Sequence, residues 1–268
     1  MLDHTIKAYK SLLQAFVDAG FRFQKFEDYL SNPLEGKVVI LRHDVDELAD
    51  NALKMAKVEH DMGVVSTYFF RIVKQSDKPD VIREIASMGH AIGYHYEDLS
   101  LAEGDFEKAI ESFERNLTYF RQYYPVKVVC MHGSTSSKYD NRLLWGKYNL
   151  SDFGILGEPY LSLNFDEIFY MTDTGYAWDG GKYAIRDVVT NNYGLSFHST
   201  DQVIECVNNG QFPEKSMILA HTLWSSNIFQ WTLLHLREFF RNRVKRFAQK
   251  NGFVAKIYNK MVKLYWKK

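Results

Sequence analysis

The chain alternates two patterns of apolar residues, and this alternation limits its fold more than any other feature. Short apolar runs at 37–42, 64–71, 90–96, 126–131, 153–157, 167–172 and 216–220 have the length and the Val, Ile, Phe and Tyr content of strands. Between them, 5–19, 48–62, 79–88, 103–123 and 229–248 read as helices. The first of these sets Ile6, Tyr9, Leu12, Leu13, Phe16 and Val17 at helical spacing. Gly63 and Gly89 follow two of the helices as stop signals. Strands that alternate with helices predict parallel βαβ units. Seven or eight such units in 268 residues point to an α/β barrel-like closed sheet rather than an open one. No linker, repeat or low-complexity stretch interrupts the pattern, so residues 1–268 read as one domain, with a basic helical tail from about residue 237.

In barrels of this kind the chemistry collects where strands end. The first strand runs into Arg42-His43-Asp44-Val45-Asp46, the second into Arg71, and the third into His95, Glu97 and Asp98. The fourth ends at His132, the sixth at Asp173 and the last at His221. One ionisable group at a strand end is unremarkable. A series of them predicts one crowded polar face.

Alternate residues of an extended segment share a side, so Asp44 and Asp46 can face one pocket with Val45 turned away. Two carboxylates that close repel unless a cation or a donor sits between them. The competing reading makes Asp46 a cap for the following helix. His95 and Glu97 also stand two apart, and His, Glu and Asp together make a mixed nitrogen and oxygen site suited to Zn²⁺. His132 is either a ligand or substrate contact, or a cap for the Gly/Ser-rich turn after it. His221 is placed to act as a general acid. Trp224 beside it is either a sugar-stacking face or a core aromatic. Asp173 is a candidate to orient a histidine or meet substrate, Trp178 to wall the pocket, and Arg71 to bind substrate. His90 stands at the wrong end of its strand for chemistry, and Cys130 lies in an apolar run; both read as structural.

Charge excludes some functions and leaves others open. Net charge is zero, so the whole molecule lacks the electrostatic footprint of a nucleic-acid binder. The balance is uneven, however: residues 237–268 hold eleven Lys/Arg and one acid, which leaves 22 Lys/Arg against 32 acids in residues 1–236. With aromatic residues between its bases, this tail reads either as a helix packed on the domain or as a peripheral contact with an anionic membrane. Residues 1–30 lack a signal-like apolar core, and no run is long enough to cross a bilayer, so a cytoplasmic location is expected.

The segments "VVILRHDVD", "STYFF", "GHAIGYHYEDL" and "MILAHTLW", with a histidine after the fourth strand, resemble the polysaccharide deacetylase family (carbohydrate esterase family four) in motif order over roughly residues 37–224. The resemblance implies a distorted (β/α)7 barrel and metal-dependent removal of an acetyl group from an amino sugar or glycan precursor. It implies Asp44 as base, Asp46 and His95 as ligands of a divalent ion, with Zn²⁺ expected, and His221 as acid. The family's second metal histidine would fall on Leu99, which cannot bind metal. Its Arg-Pro pair is absent, and "MHGS" stands there instead. Glu97 is the preferred replacement ligand from its period-two placement, with Asp98 and His132 as the others. Two alternatives remain: a deformylase or other amidase on a linear C–N bond, and a non-catalytic carbohydrate-binding relative.

Overall fold

The computed structural model describes residues 1–133, 137–176, 178, 189–190 and 192–250. Helix α1 (Ile6–Asp18) leads into a two-residue strand β1 (Arg22–Phe23) and a short helix α2 (Phe26–Ser31). The alternation proper then begins: β2 (Val38–Val45), α3 (Ala49–Asp61), β3 (Thr67–Phe70), α4 (Pro79–Ser87), β4 (Ala91–Tyr96), α5 (Asp98–Leu101), α6 (Phe106–Phe120) and β5 (Val129–Met131). Two 3-10 turns and α7 (Pro159–Ser162) precede β6 (Phe169–Thr172), α8 (Thr200–Asn208), β7 (Lys215–Leu219) and α9 (Ile228–Lys250).

The sheet is parallel, with strand order β5-β4-β3-β2-β7-β6 and β1 beside the start of β2. All eight residues of β2 are buried, as expected of a parallel strand covered on both faces. The fold is an α/β distorted barrel, and no ladder joins β5 to β6 among the described residues. The strand expected at 153–157 is reduced to one bridge, Gly157 beside Val128, the residue before β5. The local sequence explains why. Gly154 turns the chain at φ 65°, and Pro159, which has no N–H to donate, begins α7 two residues after the bridge. A Cβ on residue 157 would lie 2.6 Å from Leu30 Cδ1 and 2.7 Å from Ser162 Oγ, so a larger residue here would have to displace both side chains. Helix α8 was not anticipated from the sequence; Ser199 caps it, and Val203, Cys206 and Val207 bury its inner face.

Period-two alternation sorts the strand residues into a barrel interior and a helix-facing exterior. Ile40, Phe69, Val128, Cys130, Ile168, Tyr170, Met217 and Leu219 fill the interior, and Phe26 of α2 joins them. Val45, Tyr68, Phe70, Ile92, Tyr94, Tyr96, Val129 and Met131 pack outward against α3, α4 and α6. Val39, Leu41, Phe169, Met171 and Ile218 pack outward against α1 and α8. Gly93 belongs to the interior set, where a Cβ would lie 2.3 Å from the Phe69 ring. Counting on by twos from these residues carries the interior side through Asp44, Asp46, Arg71, His95, Glu97, His132 and His221.

Candidate active site

Because the strands are parallel, their C-terminal ends share one edge, and each ends one or two residues before an ionisable group. Asp46 follows Val45, Arg71 follows Phe70, Glu97 follows Tyr96, His132 follows Met131 and Asp173 follows Thr172. His221 stands two past Leu219. Two of these groups converge with His95 of β4. Asp46 Oδ1 lies 3.4 Å from His95 Nε2 and 3.5 Å from His132 Nε2. The other ring nitrogen of each histidine is held from behind: His95 Nδ1 by the Cys130 carbonyl at 2.9 Å, and His132 Nδ1 by Glu97 Oε2 at 3.0 Å. Such backing fixes a metal histidine's tautomer and aims its Nε2.

Asp46, His95 and His132 could hold a divalent cation between them. Ligand atoms around a tetrahedral zinc, at bond lengths of about 2.0–2.2 Å, stand about 3.3–3.5 Å from one another, which matches both separations. Asp46 Oδ1 is buried and accepts no hydrogen bond from the described residues. Nor does it cap α3, whose N-cap is Leu48 with no side-chain bond. Burial acts to raise the Asp46 pKa, but His132 and His95 hold it well below the usual carboxylate range. Burial disfavours a charged His95, yet Asp44 and Asp46 raise its pKa above the ordinary value. Cys130 also comes near, since its sulfur, Asp44 and His95 have donor atoms within 4.8 Å of one another. Its side chain lies in the barrel interior.

Glu97, the expected third ligand, is placed differently. Its Oε1 accepts from Arg71 Nη2 at 2.7 Å and Nε at 3.1 Å, and its Oε2 serves His132. With both oxygens engaged, Glu97 stands behind the donor set rather than in it. Burial raises its pKa, but Arg71 and His132 bring it down to about 2. Arg71 is 1% exposed and grips Glu97, so it does not reach out to a substrate. Leu99 packs in the apolar cluster outside the sheet, away from the interior set.

Asp44 occupies the interior beside the donor set. Its Oδ2 accepts from Arg42 Nη2 at 3.3 Å and lies 3.8 Å from His95 Nε2, while its Oδ1 is buried without a partner among the described residues. Arg42 is itself fully buried and also donates to the Tyr160 hydroxyl at 2.7 Å. The Arg42–Asp44 pair is readable in the sequence only as two charges of one parity. His43, of opposite parity, contacts Glu59 of α3 at 2.9 Å and the Ala220 carbonyl at 2.8 Å. It thereby ties the end of β2 to the end of β7, next to His221.

His221 is braced by Asp173, whose Oδ1 contacts His221 Nδ1 at 2.7 Å and accepts the His221 backbone N–H at 2.8 Å. Burial opposes the charge, but Asp173, aided by Asp46 and Asp44, raises the His221 pKa to about 10. The Trp224 indole donates to Asp173 Oδ2 at 3.0 Å. Trp224 is therefore fully buried, and its ring offers no stacking face. Trp178, expected to wall the pocket, is 1% exposed and donates to Thr200 of α8. Asp173 thus meets both His221 and Trp224, the placement that orienting a histidine would need.

No protein-family profile matches the sequence, and no curated protein matches it. Among solved structures, a CE4 family pseudoenzyme from Bacillus anthracis is similar at 12% identity and TM-score 0.41, over 76% of this chain and 61% of that one. The chain thus spans less than two thirds of that protein. A peptidoglycan N-acetylglucosamine deacetylase is similar at 17% identity and TM-score 0.39, over 85% of this chain and 91% of the other.

Proposed function

We propose that this chain is a metal-dependent hydrolase that removes the acetyl group from the nitrogen of an amino sugar, in the making of a cell-surface glycan. The observation that carries the reading is Asp46 Oδ1 set 3.4 and 3.5 Å from two imidazole nitrogens whose rings are anchored from behind. Asp46, His95 and His132 would hold the ion, and the mixed nitrogen and oxygen donors suit Zn²⁺. When bound, such an ion supplies Lewis acidity towards an acyl carbonyl and towards water. The amino sugar itself rests on the motif resemblance.

The chain's own groups divide the proton transfers. Arg42 holds Asp44 Oδ2, which leaves Oδ1 to accept a proton from the attacking water. His221, kept protonated by Asp173, donates to the departing amine as its C–N bond breaks. Water and amide thus become acetate and free amine, and the proton taken at Asp44 is balanced by the one given at His221. The non-catalytic alternative was raised by Leu99, and His132 supplies the donor that Leu99 cannot. The test is amine release from acetylated and formylated amino sugars, with and without chelator. Chelator-sensitive release from the acetylated set is expected. No release from either set by zinc-loaded protein would refute the reading, and release confined to the formylated set would shift it to a deformylase.

A further inference from the structure

Helix α9 has two contrasting faces. One is fastened to the body: the Trp231 indole donates to the Asp3 carbonyl at 2.8 Å, and Gln230 donates to Asn51 at 2.9 Å. Arg237 and Arg241 pair with Glu47 at 2.6 and 3.0 Å, and Leu234 is buried. The other face carries Phe229, Leu233, Leu236, Phe240 and Val244, spaced four, three, four and four apart, so they share one stripe. All five are exposed, Phe229 by 78% and Phe240 by 62%. Ile228 and Phe239 widen the stripe at 64% and 51% exposed. Solitary exposed apolar residues are ordinary, but a contiguous run of this size marks a surface that something covers.

The charge beside the stripe indicates what covers it. Arg243 lies over the Phe239 ring, 4.5 Å from its centroid. From Arg237 onward the sequence holds eleven Lys/Arg and one acid, and that acid, Glu238, is buried against Arg241. Apolar side chains flanked by cations complement the interface of an anionic bilayer, where rings sink to the acyl boundary and bases meet headgroups. A symmetric pairing of two copies through this stripe would instead set two strongly basic segments into one interface. No described helix is long and apolar enough to cross a membrane, so the helix would lie on the surface.

We propose that α9 docks the protein onto an anionic lipid surface through the Phe229–Val244 stripe. Its opposite face, through Glu47, ties the docked helix to the residue that follows Asp46. This inference does not depend on the reaction catalysed.

The experiment is co-sedimentation of the full chain with vesicles of phosphatidylcholine containing about 30% phosphatidylglycerol, against pure phosphatidylcholine. Binding to the anionic vesicles is expected, at least about tenfold weaker on the neutral ones and weakened by salt. The triple variant Phe229→Ser, Leu233→Ser, Phe240→Ser should lose at least about tenfold in binding while keeping its circular dichroism and Tm. Arg243→Glu should weaken binding while leaving every apolar residue of the stripe in place, a second check should the triple variant misfold. Absence of wild-type binding, or equal binding by the folded variants, overturns the proposal. So does sedimentation velocity showing a wild-type dimer that the triple variant breaks, with no vesicle binding by either.

Discussion

Asp173→Asn isolates the charge that is argued to keep His221 protonated. Asparagine can still accept from His221 Nδ1 and from the backbone N–H, so the geometry is retained while the negative charge is removed. The wild-type His221 pKa of about 10 stands well above the ordinary 6.5, with Asp173 the largest cause raising it. At about 1.4 kcal/mol per pH unit, that gap corresponds to an upper bound of about 4–5 kcal/mol of folding stability. The sign follows from the direction. A pKa raised on folding contributes stability that is fully present below about pH 6.5 and is lost as pH climbs towards about 10. The Trp224 indole faces the amide N–H₂ in the variant, which costs about 1–3 kcal/mol at every pH and so does not imitate the titration. The assay is a histidine-ring NMR titration from about pH 5 to 11 in chelator, assigned with His221→Asn, and paired with Tm against pH. His221 should titrate near 10 in the wild type and fall by at least about two pH units in Asp173→Asn. The alkaline loss of Tm should flatten with it. A wild-type midpoint below about 7.5, or an unchanged midpoint in the variant, would refute the assignment of Asp173 as the group that charges His221.

The remaining predictions test the donor set and its support. His132→Ala and Asp46→Asn should each drop bound zinc from near one per chain to below about 0.1 by elemental analysis. Leu99→Ala should keep the zinc and lose about 2–5 kcal/mol of stability to a core cavity, measured by denaturant unfolding. Arg71→Ala strands the buried Glu97 carboxylate and should cost about 3–5 kcal/mol, and adding Glu97→Gln should recover part of it. Asp44→Asn should bind zinc normally and lose at least about a thousandfold in kcat; full turnover would remove Asp44 as the base.

The fold was legible where periodicity was unambiguous and obscure where single residues overrode it. The apolar run 153–157 has strand composition, yet Gly154, Gly157 and Pro159 leave it one bridge long. Composition records apolarity; it does not record that a proline two residues on cannot donate to a ladder. Helix α8 was obscured because polar residues fill five of its nine positions, and its buried apolar ones, Val203, Cys206 and Val207, make a short stripe. Its cap was the available signal, Ser199 accepting from the Gln202 N–H. The tryptophans misled for another reason. An indole near a candidate acid reads equally well as a ligand surface or as a hydrogen-bond donor within the core, and only packing distinguishes the two.

The placement of His132 beside Asp46 was within reach of the sequence, through parity rather than motif spacing. Counting four positions from His95 leads to Leu99, and counting two leads to Glu97. Both counts stay on one segment. The interior of a parallel barrel is shared between neighbouring strands, so a donor missing after β4 can be replaced by one that follows β5. Cys130 pairs in register with His95 and packs in the interior, which turns the next same-parity residue, His132, towards Asp46. Glu97 has the parity of a ligand too, but Arg71 at the end of β3 has the same parity and the opposite charge. A buried guanidinium beside a carboxylate engages that carboxylate. What remains to face Asp46 is the His132 imidazole, held from behind by the acid that the arginine has already fixed.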